Sequence, residues 1–231
     1  MKKFATFGLA IVMLVAAVAF SFPSDVNAQG AGLVSAVLNR MERNHRDLKS
    51  LRAAIRMDKY NSQIRDTDTY QGVVLYMPAT GRNAYVRVDW ERPQRETLAV
   101  SNGQYTLFRP RLNMAYVGHA RSGNNKVGGA LDFLSMSRQQ LISRFDLQYL
   151  GEETLWGGVG TTHLKLVPKG GASYKYAEVW VDGSGMPVQT KVVEKNDDFT
   201  SVRLTNLQRN AGISLDQFRL KLDSSVKQVK G

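Results

Sequence analysis

The chain has 231 residues, of which 31 are Lys or Arg and 20 are Asp or Glu, so its formal net charge at pH 7 is +11. It contains no cysteine, which excludes thiol catalysis, cysteine-ligated zinc sites and disulfide bonds. The basic residues are dispersed, without a Lys/Arg block or an RNA-stacking motif, so nucleic acid is not an expected partner. An anionic membrane surface is one expected partner of such a charge, and a merely basic exported protein is the alternative.

The first 28 residues are typical of a secretory signal peptide. Two lysines precede an uncharged run over 4–22, Pro23 follows the run, and small residues lead up to Ala28. Cleavage after Ala28 leaves one domain over 29–231. An uncleaved membrane anchor is the alternative, because the run is about 19 residues long and near the length that spans a bilayer. Without cysteine, the mature chain cannot itself be acylated as a bacterial lipoprotein.

The mature chain opens with a predicted amphipathic helix over 33–52, whose apolar residues recur near a period of 3.6. The period then changes to two, which is typical of strands. Predicted strands follow over 53–60, 73–77, 84–90, 96–101, 104–109 and 113–118. Residues 66–72 are predicted as a polar turn, and the Asn-Gly pair within 101–104 predicts a tight hairpin.

A Gly-, Asn- and Ser-rich loop is predicted over 118–129, followed by a second helix over 130–145. Strands then resume over 147–153, 162–168, 174–182, 187–195, 201–208 and 218–222. Strands and helices do not alternate, which argues against a parallel sheet. About eleven antiparallel strands are expected to curl into a barrel or half-barrel, with the two helices available to cover its mouth.

Catalytic motifs are missing from this sequence. His45, His119 and His163 lack metal-binding spacing, and there is neither a hydrolase serine elbow nor a phosphate-binding loop. A calcium loop starting at Asp66 fails because Met77 stands where a glutamate ligand is needed. No catalytic residue, metal site or cofactor is therefore predicted.

Binding surfaces are better represented, because several strands carry large apolar side chains on alternate positions. These side chains belong to Val86, Val88, Trp90, Leu98, Val100, Tyr105, Leu107, Met114, Tyr116, Leu164, Leu166, Val179 and Val181. The predicted second helix adds Leu131, Phe133 and Leu134. Such a face can fill itself as an ordinary core or leave a slot for an acyl chain, and alternation does not distinguish the two.

Longer motifs favour a slot for an acyl chain over an ordinary core. They include the N-terminal helix "LNRMERNHRDLKSLRAAI", the glycine–strand–proline element "YQGVVLYMP", and "VRVDWERPQRETLAVSNGQYTLFRPRLN". Near the C-terminus follow "HLKLVPK" and "VWVDGSGMPVQTKVVEKNDDFTSVRLTNLQRNAGISLDQFRL". In order and spacing, these motifs together resemble the LolA family of periplasmic carriers of outer-membrane lipoproteins, over nearly all of the mature chain.

The resemblance implies a mainly β (α+β) fold, with an unclosed half-barrel whose helices form a lid over an apolar cavity. It implies a monomeric periplasmic carrier, not an enzyme, that binds the acyl chains of lipoproteins. Its partners would be an inner-membrane lipoprotein-releasing ABC transporter and an outer-membrane lipoprotein acceptor. The implied cavity wall comprises Leu75, Tyr76, Val86, Val88, Trp90, Leu98, Phe108, Met114, Tyr116, Leu164 and Trp180. The implied lid residues are Leu131, Phe133 and Leu134.

One position departs from the family pattern. Members often carry a basic residue directly before the proline of the glycine–strand–proline element, where it assists cargo release. Here Met77 precedes Pro78, so either Arg82 substitutes in gating or the gating differs from that of the best-known members. Two other functions remain open, namely carriage of another lipid, such as a glycolipid or hopanoid, and a lipoprotein-sensing regulatory role on the same fold.

Overall fold

The computed structural model describes residues 26–78, 84–120 and 126–230, with side chains described except at 26–29 and 126–130. Within these ranges the helices are α1 (Val26–Asp47), α2 (Lys126–Ser135) and α3 (Arg138–Arg144). The first strands are β1 (Leu51–Asn61), β2 (Asp66–Met77), β3 (Tyr85–Arg92), β4 (Glu96–Ser101), β5 (Gln104–Arg109) and β6 (Met114–His119). The later strands are β7 (Phe145–Leu155), β8 (Val159–Pro168), β9 (Tyr174–Asp182), β10 (Pro187–Glu194), β11 (Phe199–Arg209) and β12 (Lys227–Lys230).

All described strands belong to one curled, twelve-stranded sheet in the order β12-β6-β5-β4-β3-β2-β1-β11-β10-β9-β8-β7. Neighbours are antiparallel, except that β12 runs parallel to β6. The edge strands β7 and β12 do not pair, so the sheet is unclosed. The predicted fold class is confirmed, with twelve strands in the described part instead of about eleven.

The first predicted helix, 33–52, ends too late. In the structure α1 ends at Asp47, and Leu51 already belongs to β1, opposite Tyr76 of β2 and Arg209 of β11. The backbone of β1 forms hydrogen bonds with neighbouring strands on both sides. This pairing is favoured over continuation of the helix. The Asn210 amide fixes the helix end, since its nitrogen donates to the Asp47 carbonyl at 3.2 Å.

The polar turn predicted over 66–72 is also wrong, because these residues form the first half of β2. The chain turns instead at 62–65, where Arg65 has a φ of 53°. Residues 66–68 are polar because this end of the strand is exposed to solvent. The Asn-Gly hairpin is confirmed, since Asn102 and Gly103 have φ values of 50° and 74°, as a tight primed turn requires.

The helix predicted over 130–145 is two helices. The chain breaks after Ser135, and the Ser137 hydroxyl accepts a hydrogen bond from the Gln140 amide at 3.3 Å. The Gln140 side chain in turn accepts from the Ser137 amide at 2.8 Å, which completes a capping box. A serine with this reciprocal partner starts a new helix, so α3 begins separately from α2.

The strand predicted over 218–222 is absent, although its apolar residues alternate. Leu215–Phe218 forms a 3₁₀ turn, and within this segment only Phe218 is buried, at 1% exposure. Phe218 packs against Tyr85 with ring centroids 5.7 Å apart, and the Arg87 guanidinium donates to the Gln217 carbonyl at 2.9 Å. The segment therefore crosses the sheet instead of pairing with it, and it leads the chain to the edge where β12 joins β6.

Candidate functional site

Strand register decides which side chains share a face of the sheet. Val86 and Val88 of β3 lie directly opposite Tyr76 and Val74 of β2. Opposite residues of an antiparallel pair point to the same side, so these four share one face. They belong to the same core cluster as Leu131 of α2. We call this side, on which the helices pack, the helical face.

Over strands β7–β9, the helical face is closed by α1. Val37, Leu38 and Met41 of α1 pack in one cluster with Leu164 and Val179 of the sheet. Each of the five is at most 5% exposed. This part of the face is packed as an ordinary hydrophobic core.

Over strands β10 and β11, the helical face is covered by α2. Leu131 and Leu134 pack there in one cluster with Val188, Val202 and Leu204. The cavity that remains between these side chains measures about 10 Å³, roughly the space that one water molecule needs. Ligand pockets usually measure about 300–1,000 Å³. A lipid chain can therefore enter this region only if α2 moves away from the sheet.

Over strands β3–β6, the helical face is only half-buried. Val88, Leu98, Leu107 and Tyr116 lie side by side across the four strands, and burial decreases along this row from Val88 to Tyr116. We define the open apolar strip as the half-buried residues of this region, namely Val86, Val100, Tyr105, Leu107, Met114 and Tyr116. A continuous apolar surface of this kind marks a binding site more often than singly scattered apolar residues do.

One end of the open apolar strip carries cations and aromatic rings. The Arg109 guanidinium lies 3.0 Å from the Glu96 carboxylate and 5.3 Å from the ring centre of Tyr116. Nearby, Tyr70 contacts Trp90 edge-on, with ring centroids 5.7 Å apart. Burial raises the pKa of Tyr70, with a further contribution from the negative charges of Asp68 and Glu96. This end can hold a polar group while the rest of the strip remains apolar.

Tyr76 places an unpaired hydroxyl inside the buried part of the face. The residue is 1% exposed, and its hydroxyl has no hydrogen-bond partner in the described part of the chain. Burial raises the pKa of Tyr76, and the carboxylate of Asp132 on α2 raises it further. A buried hydroxyl without a partner costs about 1–3 kcal/mol.

Most residues of the predicted cavity wall lie on the helical face, but three do not. Those on this face are Tyr76, Val86, Val88, Trp90, Leu98, Met114, Tyr116 and Leu164. Leu164 is closed off beneath α1. Leu75, Phe108 and Trp180 point to the opposite face, because Leu75 pairs with Arg87, Phe108 with Thr97, and Trp180 with His163.

Trp180 shows how one of these three, assigned by resemblance to the family, comes to lie on the other face. It is 6% exposed, between Val179 and Val181, so three successive residues of β9 are buried and the strand does not alternate. On its own face it stacks on His163 with ring centroids 4.1 Å apart, and its indole nitrogen donates to Glu153 at 2.7 Å. These contacts lie on the face away from the helices, and Trp180 also belongs to the core cluster that contains Leu131 and Leu134.

The predicted lid residues lie on α2 but on two sides of it. Leu131 and Leu134 pack over the cluster that contains Val88, whereas Phe133 packs against Phe145 with ring centroids 6.0 Å apart. The helix thus lies between the cluster packed over β7–β9 and the cluster packed over β10 and β11. Arg82, the predicted gating residue, lies outside the described residues.

Sequence reasoning missed the roles of Tyr70 and Arg109. Tyr70 falls within the segment predicted as a turn, and Arg109 was only the end of a predicted strand. No local pattern places either residue, since their neighbours Trp90 and Glu96 come from other strands. In the described ranges no group of three or more metal-ligating side chains occurs, and none of their helices is long and apolar enough to cross a membrane.

Comparison with known proteins points to one family. The family model described as "Outer membrane lipoprotein carrier protein LolA" matches residues 79–221. No curated protein matches the chain.

Solved structures share its fold. An uncharacterized conserved protein from Thermus thermophilus superposes with a TM-score of 0.55 at 13% identity, covering 86% of this chain and 99% of that one. MucB superposes with a TM-score of 0.52 at 16% identity, covering 82% of this chain and 63% of MucB. A Pseudomonas aeruginosa MucA/MucB complex is also similar, with a TM-score of 0.49 at 16% identity, covering 81% of this chain and 60% of that one.

Proposed function

The chain belongs to the LolA family of outer membrane lipoprotein carrier proteins, and we propose that it carries acylated lipoproteins through the periplasm. The observation that carries the proposal is the open apolar strip, which continues beneath a helix that covers a small pocket. In this proposal residues 1–28 are a cleaved signal peptide and 29–231 form a single, monomeric carrier domain. The domain takes its cargo from an inner-membrane lipoprotein-releasing ABC transporter and passes it to an outer-membrane acceptor.

Transfer needs no covalent chemistry, so the protein is proposed not to be an enzyme. An acyl chain leaving one membrane loses its apolar surroundings, and each methylene exposed to water costs about 0.8 kcal/mol. The open apolar strip replaces those surroundings for the first part of the chain. Deeper entry requires α2 to leave Val188 and Val202, whose apolar surfaces then cover the ligand instead. Exchange of one apolar contact for another keeps both binding and release possible.

A release assay tests this function. Spheroplasts that carry labelled, outer-membrane-destined lipoproteins are incubated with purified protein of residues 29–231. We expect labelled lipoprotein in the soluble fraction as a one-to-one complex. If lipoproteins stay in the membrane while native mass spectrometry finds another bound lipid, the carrier takes a different cargo, such as a glycolipid or hopanoid. If no lipid of any kind is bound, the carrier function is wrong.

A sensing function is the second candidate, favoured by the shared fold with MucB, a protein that is also seen in complex with MucA. In that case a bound lipid would change the affinity for a protein partner instead of travelling between membranes. The release assay distinguishes a lipoprotein carrier from a sensor, because a sensor, like a carrier of another lipid, binds lipid without extracting lipoprotein in stoichiometric amounts.

Contact with the membrane is proposed to involve Trp156. This residue is 86% exposed at the tip of the β7–β8 hairpin, and a side chain added at Gly157 or Gly158 would contact nothing within 4 Å. The Arg203 guanidinium donates to the Trp156 carbonyl, and Arg203 lies directly opposite Arg56 on β1. Arg56 is itself paired with Asp58 at 3.0 Å, which leaves Arg203 as the cation on which this proposal rests. An exposed indole with a neighbouring cation suits the interface of an anionic membrane.

Replacing Trp156 with alanine should weaken binding to anionic phospholipid vesicles about tenfold, which corresponds to about 1.4 kcal/mol. Wild-type binding should also weaken as salt rises to physiological strength. Ile64→Ala is the matched control, since Ile64 is 72% exposed in a turn at the opposite ends of the strands. Vesicle co-sedimentation measures all three proteins. Equal binding by Trp156→Ala and Ile64→Ala would show that the β7–β8 hairpin is not the contact.

A further inference from the structure

The orphan hydroxyl of Tyr76 lies where the closed and open parts of the helical face meet. Tyr76 pairs with Leu51 of β1, which is fully buried, and with Val86 of β3, which belongs to the open apolar strip. Its core cluster includes Leu131 and Leu134 of α2. A chain that slides from the open apolar strip to the space under α2 therefore passes this hydroxyl.

Three other buried hydroxyls of the described residues have partners. Ser50 donates to the Ala211 carbonyl at 2.5 Å, Thr161 donates to the Glu153 carbonyl at 2.7 Å, and Thr162 donates to the Glu152 carboxylate at 3.0 Å. A folded chain normally pairs such groups, so an exception needs an explanation. Phenylalanine would fill the same space without the unpaired oxygen. The hydroxyl of Tyr76 is therefore accounted for most directly by a partner that is bound only part of the time.

The charge near Tyr76 restricts what that partner is. Because burial and Asp132 both raise its pKa, the phenol stays protonated and offers a hydrogen-bond donor. The carboxylate of Asp132 repels an anion in surroundings of low polarity, so phosphate or a free fatty-acid carboxylate is disfavoured. A neutral acceptor is favoured, and the neutral acceptors of an acylated cargo are its ester and amide carbonyls.

We propose that Tyr76 is the polar subsite of the lipid cavity, where its hydroxyl donates a hydrogen bond to an ester or amide carbonyl of the cargo. This inference rests on the proposed carrier function and adds a specificity to it. The Tyr76 hydroxyl sets how deeply each acyl chain enters the cavity, because the carbonyl of the cargo is held where the hydroxyl donates its hydrogen bond. It also selects acyl lipids over lipids whose chains carry no carbonyl.

Two probes and two variants test the proposal. The probes are a diacylglycerol and the dialkyl ether glycerol of the same chain length, which keeps the chains but lacks the carbonyls. Binding is measured by displacement of a fluorescent fatty-chain reporter from protein of residues 29–231. We expect wild type to prefer the diacyl probe about tenfold, and Tyr76→Phe to lose that preference while binding the ether probe unchanged. Tyr85→Phe, on the face away from the helices, is the control and should behave as wild type.

Thermal stability provides an independent test of the subsite. Because Tyr76→Phe removes a buried oxygen without a partner, its Tm should equal or exceed that of wild type, even as diacyl binding falls. If Tyr76→Phe keeps the tenfold preference, or weakens both probes equally, the subsite is wrong while the carrier function stands. If wild type binds neither probe, the proposed function itself fails and the subsite with it.

Discussion

Replacing Gly185 with alanine is expected to destabilise the protein by more than about 3 kcal/mol. Gly185 lies in the β9–β10 turn with a φ of +85°, which costs an alanine about 1–3 kcal/mol. An added Cβ would also overlap the backbone carbonyl of Arg40 on α1, and such overpacking typically costs another 1–3 kcal/mol, roughly. The overlap is with backbone, so it is relieved only if α1 moves away from the sheet.

Gly183→Ala is the matched control for this prediction. Gly183 lies in the same turn, but an added Cβ there would contact nothing within 4 Å. Its free energy of unfolding should stay within about 1 kcal/mol of wild type. Urea denaturation of the three proteins checks both values. Equal loss in the two variants would mean that the turn, and not the contact with α1, determines the effect.

Replacing Leu107 with aspartate is expected to reduce affinity for acyl chains at least about 30-fold. Leu107 lies at the centre of the open apolar strip, between Leu98 and Tyr116. Loss of its apolar contact with a ligand removes about 2 kcal/mol of binding free energy, and the desolvated carboxylate adds to the loss. Because Leu107 is only half-buried, the chain should still fold with the new charge exposed to water.

Phe108→Asp is the control, since Phe108 is the next residue of β5, is also half-buried and apolar, and points to the opposite face. It should lose stability through its own lost contacts but retain acyl binding. Reporter displacement gives the affinities, and urea denaturation shows how much of each variant is folded. A larger loss of binding in Phe108→Asp would place the binding surface on the face away from the helices.

The two neighbours on β5 show how much of the site is readable from sequence. Both were candidates for a binding wall, Leu107 from alternation and Phe108 from resemblance to the family. Alternation correctly predicts that the two side chains point to opposite faces of the sheet, because successive side chains of a strand do so. It does not state which side carries the helices, and that choice separates a wall residue from an outer-face residue.

Two predictions of secondary structure were wrong for a related reason. The helix predicted over 33–52 was too long, and the strand over 218–222 does not form, although both had an apolar period. In each case a contact distant in sequence decided the outcome: pairing of Leu51 with Tyr76 and Arg209, and packing of Phe218 against Tyr85. Local propensities differ by less than such tertiary contacts contribute, so the contacts prevail.

The sequence by itself determined the antiparallel, mainly β class, the tight turn at Asn102 and Gly103, the absence of cysteine chemistry and the family. These follow from side-chain periodicity, from the backbone angles that Asn and Gly adopt, from composition, and from the order and spacing of the longer motifs. Only the tertiary structure decided that α1 closes the face over β7–β9 while Leu107 and Tyr116 stay half-open, and that Tyr76 keeps an unpaired hydroxyl between them. Burial is a property of surfaces brought together from distant parts of the chain, so no local pattern specifies which surfaces remain uncovered.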